Sequence, residues 1–145
     1  MEKKSRKFLY RTNVSWNEEK KGYLCSEGKP TIEVATPPEF KGHPGIWTSE
    51  ELFVASVNIC IKTTFLYYAE KNGFKFLSYQ SNAEGTLEKV NNTLMFSEIR
   101  IEPKIKVFSQ EDVQKAKELI VMSEKNCLIS NSIKSKVEVI PEIIV

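Results

Sequence analysis

Histidine is almost missing from this chain: His43 is the only one in 145 residues. Cysteine is scarce too, with Cys25, Cys60 and Cys127 far apart and no C-x-x-C pair. So few soft ligands, so scattered, exclude a recognisable zinc site, and no metal or cofactor is expected. An odd number of cysteines also speaks against a disulfide framework. Neither sign of charge dominates, because 21 Lys and Arg against 19 Asp and Glu leave a net charge of +2. That balance gives no electrostatic reason to expect nucleic acid or an anionic membrane as partner. The basic opening "MEKKSRK" lacks the apolar stretch of about 7–15 residues that a secretion signal needs. No unbroken apolar run approaches the ~20 residues of a membrane span. The expectation is a soluble, cytoplasmic protein folded as one domain over residues 1–145.

What is present reads as a mixture of strands and helices. "KFLYRTNVSW" (Lys7 to Trp16), "KGYLCSEG" and "PTIEVATP" are short strands, the last two joined around Glu27-Gly28-Lys29-Pro30 as a hairpin. Pro37-Pro38 ends this segment, and "EFKGHPGIW" is a loop. Thr48 then opens a helix with Glu51 three residues on, a capping box, and Gly73 closes it. From Leu52 to Ile61 this helix is apolar on nearly every side, so it should be buried all round, and a partner chain is expected to help cover it. "FKFLSYQSNAEGTLEKVNN" and "TLMFSEIRIEPKIKVF" alternate as two long antiparallel strands turning at "VNNT". Ser109 should cap a second helix with Val113, Ala116, Leu119, Ile120 and Val121 in its apolar stripe. A short further helix from Cys127 and a closing strand, "SKVEVIPEIIV", complete an α+β order with segregated strands and helices.

Taken singly, Cys60 is a small apolar residue among Val57, Ile59 and Ile61, and such cysteines commonly just fill space. Cys127 follows Asn126, a plausible cap, and begins a turn whose free N–H groups would lower its thiol pKa. Cys25, in a strand beside a turn, reads as structural. A two-cysteine redox site needs one thiolate that attacks and a second thiol that resolves the sulfenic acid. Spacing does not show whether Cys60 and Cys127, 67 positions apart, meet.

"TSEELFVASVNIC" resembles the T-N-P-E-E/Q-L-x-x-A-x-x-x-C segment of the OsmC/Ohr family of thiol peroxidases. "EKNCLISNSI" is similar to that family's A-x-x-x-C-P-[VY]-S-N-A segment, and "ATPPEFKG" to its S-T-P-x-E-[LF]-G-G approach to the helix. The resemblance implies an OsmC-like fold: an intertwined homodimer with long central helices wrapped by antiparallel sheets. It implies Cys60 as the peroxidatic thiol, Cys127 as the resolving thiol and Glu50 as the motif glutamate. It also implies an organic hydroperoxide as substrate and an external dithiol as reductant. Glu50 precedes Cys60 by ten helical residues, about 15 Å, and so cannot reach that sulfur directly along its own helix.

The chain departs from the family pattern at telling places. Ser49 stands where the first motif has proline, and Leu128 where the second does. Family peroxidases also place an arginine near the attacking cysteine, but the only arginines here are Arg6, Arg11 and Arg100. Where organic-hydroperoxide members carry theirs, this chain reads "NEEKKGYL", so Lys20 or Lys21 is left as a substitute point charge, or Arg11 reaches across. Both lysines also read as solvated turn charges. His43 reads as a loop histidine without a carboxylate partner. Trp47, Phe53, Phe65, Tyr67 and Tyr68 suit either a channel for an apolar peroxide tail or the core, with the core favoured. Two functions stay open: a thiol-dependent peroxidase, or a non-catalytic dimer of the same fold that binds a small apolar ligand.

Overall fold

The computed structural model describes residues 5–145, and the residues up to Lys4 of the basic opening lie outside the described residues. The elements are β1 (Asn13–Trp16), β2 (Lys21–Cys25), β3 (Ile32–Ala35), α1 (Ser49–Lys71), β4 (Ser78–Val90), β5 (Thr93–Lys106), α2 (Val113–Asn126), β6 (Lys136–Val139) and β7 (Glu142–Ile144). Three single 3-10 turns punctuate them at Pro38–Phe40, Gln110–Asp112 and Ser130–Ser132. The chain forms two compact units, one ending at Leu52 and the other Phe53–Val145, with α1 starting in the first and running through the second.

The first unit is an antiparallel β1-β2-β3 sheet. Its first strand is shorter than the apolar stretch from Lys7 suggested. Pairing begins only at Asn13 opposite Cys25, because β2 stops there and offers no further backbone. Beyond that point the Ser26 hydroxyl donates to the Arg11 carbonyl at 2.9 Å. After β3 the chain folds back tightly, and Gly42 is required where it does. A Cβ there would lie 1.7 Å from the Thr36 carbonyl oxygen.

α1 matches its sequence signals closely. The Thr48 hydroxyl accepts the Glu51 N–H at 3.2 Å, one half of a capping box, and donates to the Glu51 carboxylate at 2.9 Å. At the far end Gly73 adopts φ 61°. The Gly73 N–H bonds the Glu70 carbonyl at 3.1 Å and the Phe74 N–H bonds the Ala69 carbonyl at 2.8 Å. These are the two bonds of a Schellman motif, and Phe74 packs on the core there.

In the second unit β4 and β5 form a long hairpin turned by Asn91 and Asn92, both at positive φ, the pair of left-handed residues that a tight hairpin turn demands. The closing strand proves to be two. β6 pairs in parallel with Glu98–Ile101 of β5, and β7 with Lys104–Lys106. Pro103, which has no N–H to give, falls at the break between them, which makes proline tolerable inside a central strand. Val57, Cys60, Ile61, Phe65 and Ala69 of α1, Ile99, Ile101 and Ile105 of β5, and Ala116, Leu119 and Ile120 of α2 form the buried core.

Three expectations need correcting. A 3-10 turn precedes α2, and the Ser109 hydroxyl bonds the Asp112 carboxylate rather than capping backbone N–H groups. Val121 is exposed and does not belong to the apolar stripe. α1 is also long and apolar enough to cross a bilayer by length and composition, although polar residues interrupt every apolar run in it. Five of its residues, Val57, Cys60, Ile61, Phe65 and Ala69, are buried in the core of the second unit. One chain nonetheless leaves Ile59 60% and Tyr67 58% exposed, so α1 is not covered all round.

Candidate active site

Cys60 and Cys127 come together inside the second unit. Cys60 sits mid-α1 on the core face, 6% exposed, and Cys127 lies just past the C-terminus of α2, fully buried. Both are free thiols, and Cys60 lies near enough to Cys127 to help raise its thiol pKa. The fold brings them together because Cys60 projects from the face of α1 that also carries Val57 and Phe65's turn, while Ala116, Leu119 and Ile120 anchor α2 in the same core.

The Cys60 surroundings are hydroxyl-rich. The Thr63 and Thr64 hydroxyls both donate to the Cys60 carbonyl, at 3.1 and 2.7 Å. Thr64 Oγ1 is also 3.9 Å from the Cys60 sulfur. With its hydrogen engaged by the carbonyl, that oxygen is left to accept from the thiol.

Around Cys127 the sequence reading is half right. Asn126 does not cap the following turn; it is the last residue of α2, and its side-chain amide donates back to the Met122 carbonyl at 2.9 Å. A free backbone N–H does meet the sulfur: Ser130 N–H points at Cys127 Sγ at 3.5 Å, from a 3-10 turn rather than a longer helix. The expected fall in pKa does not follow. Burial, then the neighbouring Cys60, push the Cys127 thiol up, and the Ser130 contacts oppose them only in part. Cys127 therefore holds its proton at neutral pH. Ser130 and Thr64 were not singled out from the sequence, although Ser130 lies in the stretch "CLISNS" on which the resemblance rests.

Glu50 stands in the first unit, in the opening turn of α1, and its carboxylate accepts the Ser49 hydroxyl at 2.6 Å. It lines a groove of about 540 Å³ with Val14, Trp16, Lys20, Lys21 and Pro37 among its walls. The two lysines differ. Lys20 Nζ donates to the Lys41 carbonyl at 2.8 Å, tying down the loop after the 3-10 turn. Lys21 has only a loose pairing with Glu18, at 3.9 Å. His43, expected to lack a carboxylate partner, lies 3.4 Å from Glu19.

Arg100, the one arginine of the second unit, is on the outer face of β5 between the buried Ile99 and Ile101, beside Glu84 and Glu102. Among the described residues of that unit, no guanidinium shares the core face with the two cysteines. Cys25 meets only the Thr31 hydroxyl, at 3.4 Å. Phe65 is core, edge-on to Phe76 and tilted against Tyr79, and Phe53 stacks on Phe96, whereas Trp47 and Tyr67 are exposed.

The family model for OsmC-like proteins matches residues 42–142, a stretch that holds both cysteines and Glu50. The chain belongs to the OsmC-like family. Solved structures agree on the fold. An OsmC-like protein of unknown function from Vibrio cholerae superposes with a TM-score of 0.84 at 22% identity, covering 95% of this chain and 100% of that one. An organic hydroperoxide resistance protein from Elizabethkingia anophelis gives 0.74 at 20%, covering 96% and 99%. An organic hydroperoxide resistance protein from Legionella pneumophila gives 0.69 at 20%, covering 96% and 100%. Among curated proteins, none matches the chain. The OsmC-like fold, an α+β architecture, is thus shared at low identity, and Cys60 and Cys127 meet inside this family member's own core.

Proposed function

We propose that this OsmC-like protein is a thiol-dependent peroxidase that reduces organic hydroperoxides. The burial of Cys60 and Cys127 as neighbours in one core carries the reading, since spacing alone did not require it. Cys60 thiolate attacks the outer oxygen of the O–O bond, the alcohol leaves, and Cys60 becomes a sulfenic acid. Cys127, protonated and beside it, gives up its proton as it attacks that sulfur. Water leaves and a Cys60–Cys127 disulfide forms. An external dithiol returns both cysteines to thiols, in a reducing compartment such as the cytoplasm.

Glu50 acts away from the Cys60 of its own helix, at the partner chain's site in a homodimer. The family names of the Elizabethkingia and Legionella proteins support the substrate class. Free-thiol titration before and after one equivalent of cumene hydroperoxide tests the reading. Rapid loss of two thiols per chain is the expected result, and no loss refutes it.

The placement of Arg100 on the outer face of β5 favours the second reading, a dimer that binds a small apolar ligand without turnover. Unchanged thiols, together with saturable binding of an apolar fluorophore, would select it.

A further inference from the structure

We propose that the two sulfurs are not equivalent when the disulfide is reduced: the external thiol attacks Cys60 Sγ, and Cys127 leaves as a thiolate held by Ser130. This rests on the peroxidase reading for how the disulfide arises, but not for how it opens.

Access favours attack at Cys60. An incoming thiolate must approach along the S–S axis of the sulfur it attacks. Cys127 is fully buried, whereas Cys60 keeps a small exposed surface on α1, next to the exposed Ile59 and Thr63. Any further covering by a second chain leaves the buried sulfur no more accessible.

Hydrogen bonding favours Cys127 as the leaving group. A departing thiolate in an apolar core requires donors, because burial disfavours its charge. The Ser130 N–H points at Cys127 Sγ at 3.5 Å, and the buried Ser130 hydroxyl nearby has no hydrogen-bond partner among the described residues, which leaves it free to turn to a thiolate. The geometric counterpart at Cys60 is poorer. Its nearest hydroxyl, Thr64, spends its hydrogen on the Cys60 carbonyl at 2.7 Å. Burial raises the Cys127 thiol and by itself slows its departure, which is why the Ser130 donors, the contacts that act in the opposite sense, are needed there.

The step balances. The thiolate of an external dithiol bonds to Cys60 Sγ, the Cys60–Cys127 bond breaks, and its electron pair goes to Cys127 Sγ, which then takes a proton. The reductant's second thiolate attacks its own sulfur in the mixed disulfide and expels Cys60 as thiolate. The dithiol is oxidised to a disulfide and the protein regains two thiols.

The test forms the disulfide with diamide, so that it does not depend on peroxide chemistry. The monothiol glutathione is then added in large excess, the reaction is stopped in acid, and the adduct is located by peptide mass spectrometry. The adduct is expected on Cys60, with Cys127 recovered as free thiol. In parallel, Ser130→Ala should slow opening of the disulfide by this monothiol at least about fivefold, and Ser130→Thr should restore the rate. An adduct on Cys127, no disulfide with diamide, or a wild-type rate in Ser130→Ala overturns the proposal. A disulfide that forms with diamide but not with cumene hydroperoxide refutes the peroxidase reading instead and leaves this test to be read on its own.

Discussion

Cys60 and Cys127 differ in access and in their hydrogen-bond partners, and the difference sets their expected behaviour. Cys60→Ser should abolish peroxide consumption. Cys127→Ser should permit at most one oxidation per chain, with over-oxidised Cys60 visible by mass after excess peroxide. Equal loss of the first oxidation in both variants would contradict the attacker and resolver roles. The raised Cys127 thiol also has a consequence for stability. The folded protein keeps a proton that the unfolded chain releases above its ordinary value of about 8.5. Its contribution is fully present below that value and is lost as pH rises through the folded one. Urea midpoints measured between pH 7 and 9.5 should therefore fall with pH, and the fall should be shallower in Cys127→Ala. Identical slopes would show that the thiol does not titrate differently in the two states. Burial likewise pushes the Tyr79 phenol up, with the same sign at higher pH.

α1 is the element on which the site is built, and both of its ends are fixed by local chemistry. Thr48→Ala removes the hydroxyl that caps the Glu51 N–H and bonds the Glu51 carboxylate, and should cost about 1 kcal/mol of unfolding free energy. Gly73→Ala places a Cβ at φ 61° and should cost about 1–2 kcal/mol. Phe65→Ala, at the buried centre of the helix, should cost more, about 3–5 kcal/mol, since it leaves a cavity against Phe76 and Tyr79. Denaturant unfolding of the three variants checks the ranking. A Phe65→Ala loss no larger than that of Thr48→Ala would mean that the core around the site collapses freely. On the strand side, Pro103 marks where β6 gives way to β7, so the parallel edge of the sheet is interrupted where β5 has no N–H to offer.

One chain exposes apolar surface that an isolated protein seldom keeps in such amount. Ile59, Leu66 and Tyr67 of α1 and, separately, Phe8, Leu9, Tyr10, Val14 and Trp16 of the first unit are open to solvent. These surfaces support the proposed homodimer, in which Glu50 would serve a site other than that of its own helix. Sedimentation at low micromolar concentration should give a species of twice 16.7 kDa that persists until unfolding. A folded 16.7 kDa monomer would refute the dimer and, with it, the account of how Glu50 takes part.

Much of the architecture was legible because local physics sets it. The Thr48 cap, the Gly73 stop, the two-asparagine turn and the alternation of β5 each depend on residues a few positions apart, and each appears where the pattern placed it. The long-range pairings were not legible. Nothing local says that "SKVEVIPEIIV" splits into two strands parallel to β5, since parallel pairing is chosen by what the crossover through α2 makes adjacent. The same limit applied to the chemistry. Sequence motifs marked Cys60 and Cys127, but their nearness, the Ser130 donors and the burial that raises rather than lowers the Cys127 thiol arise only when α1, α2 and the turn after α2 share one core. A thiol's ionisation depends on everything packed around it, and a neighbour 67 positions away in the chain enters that balance only through the fold.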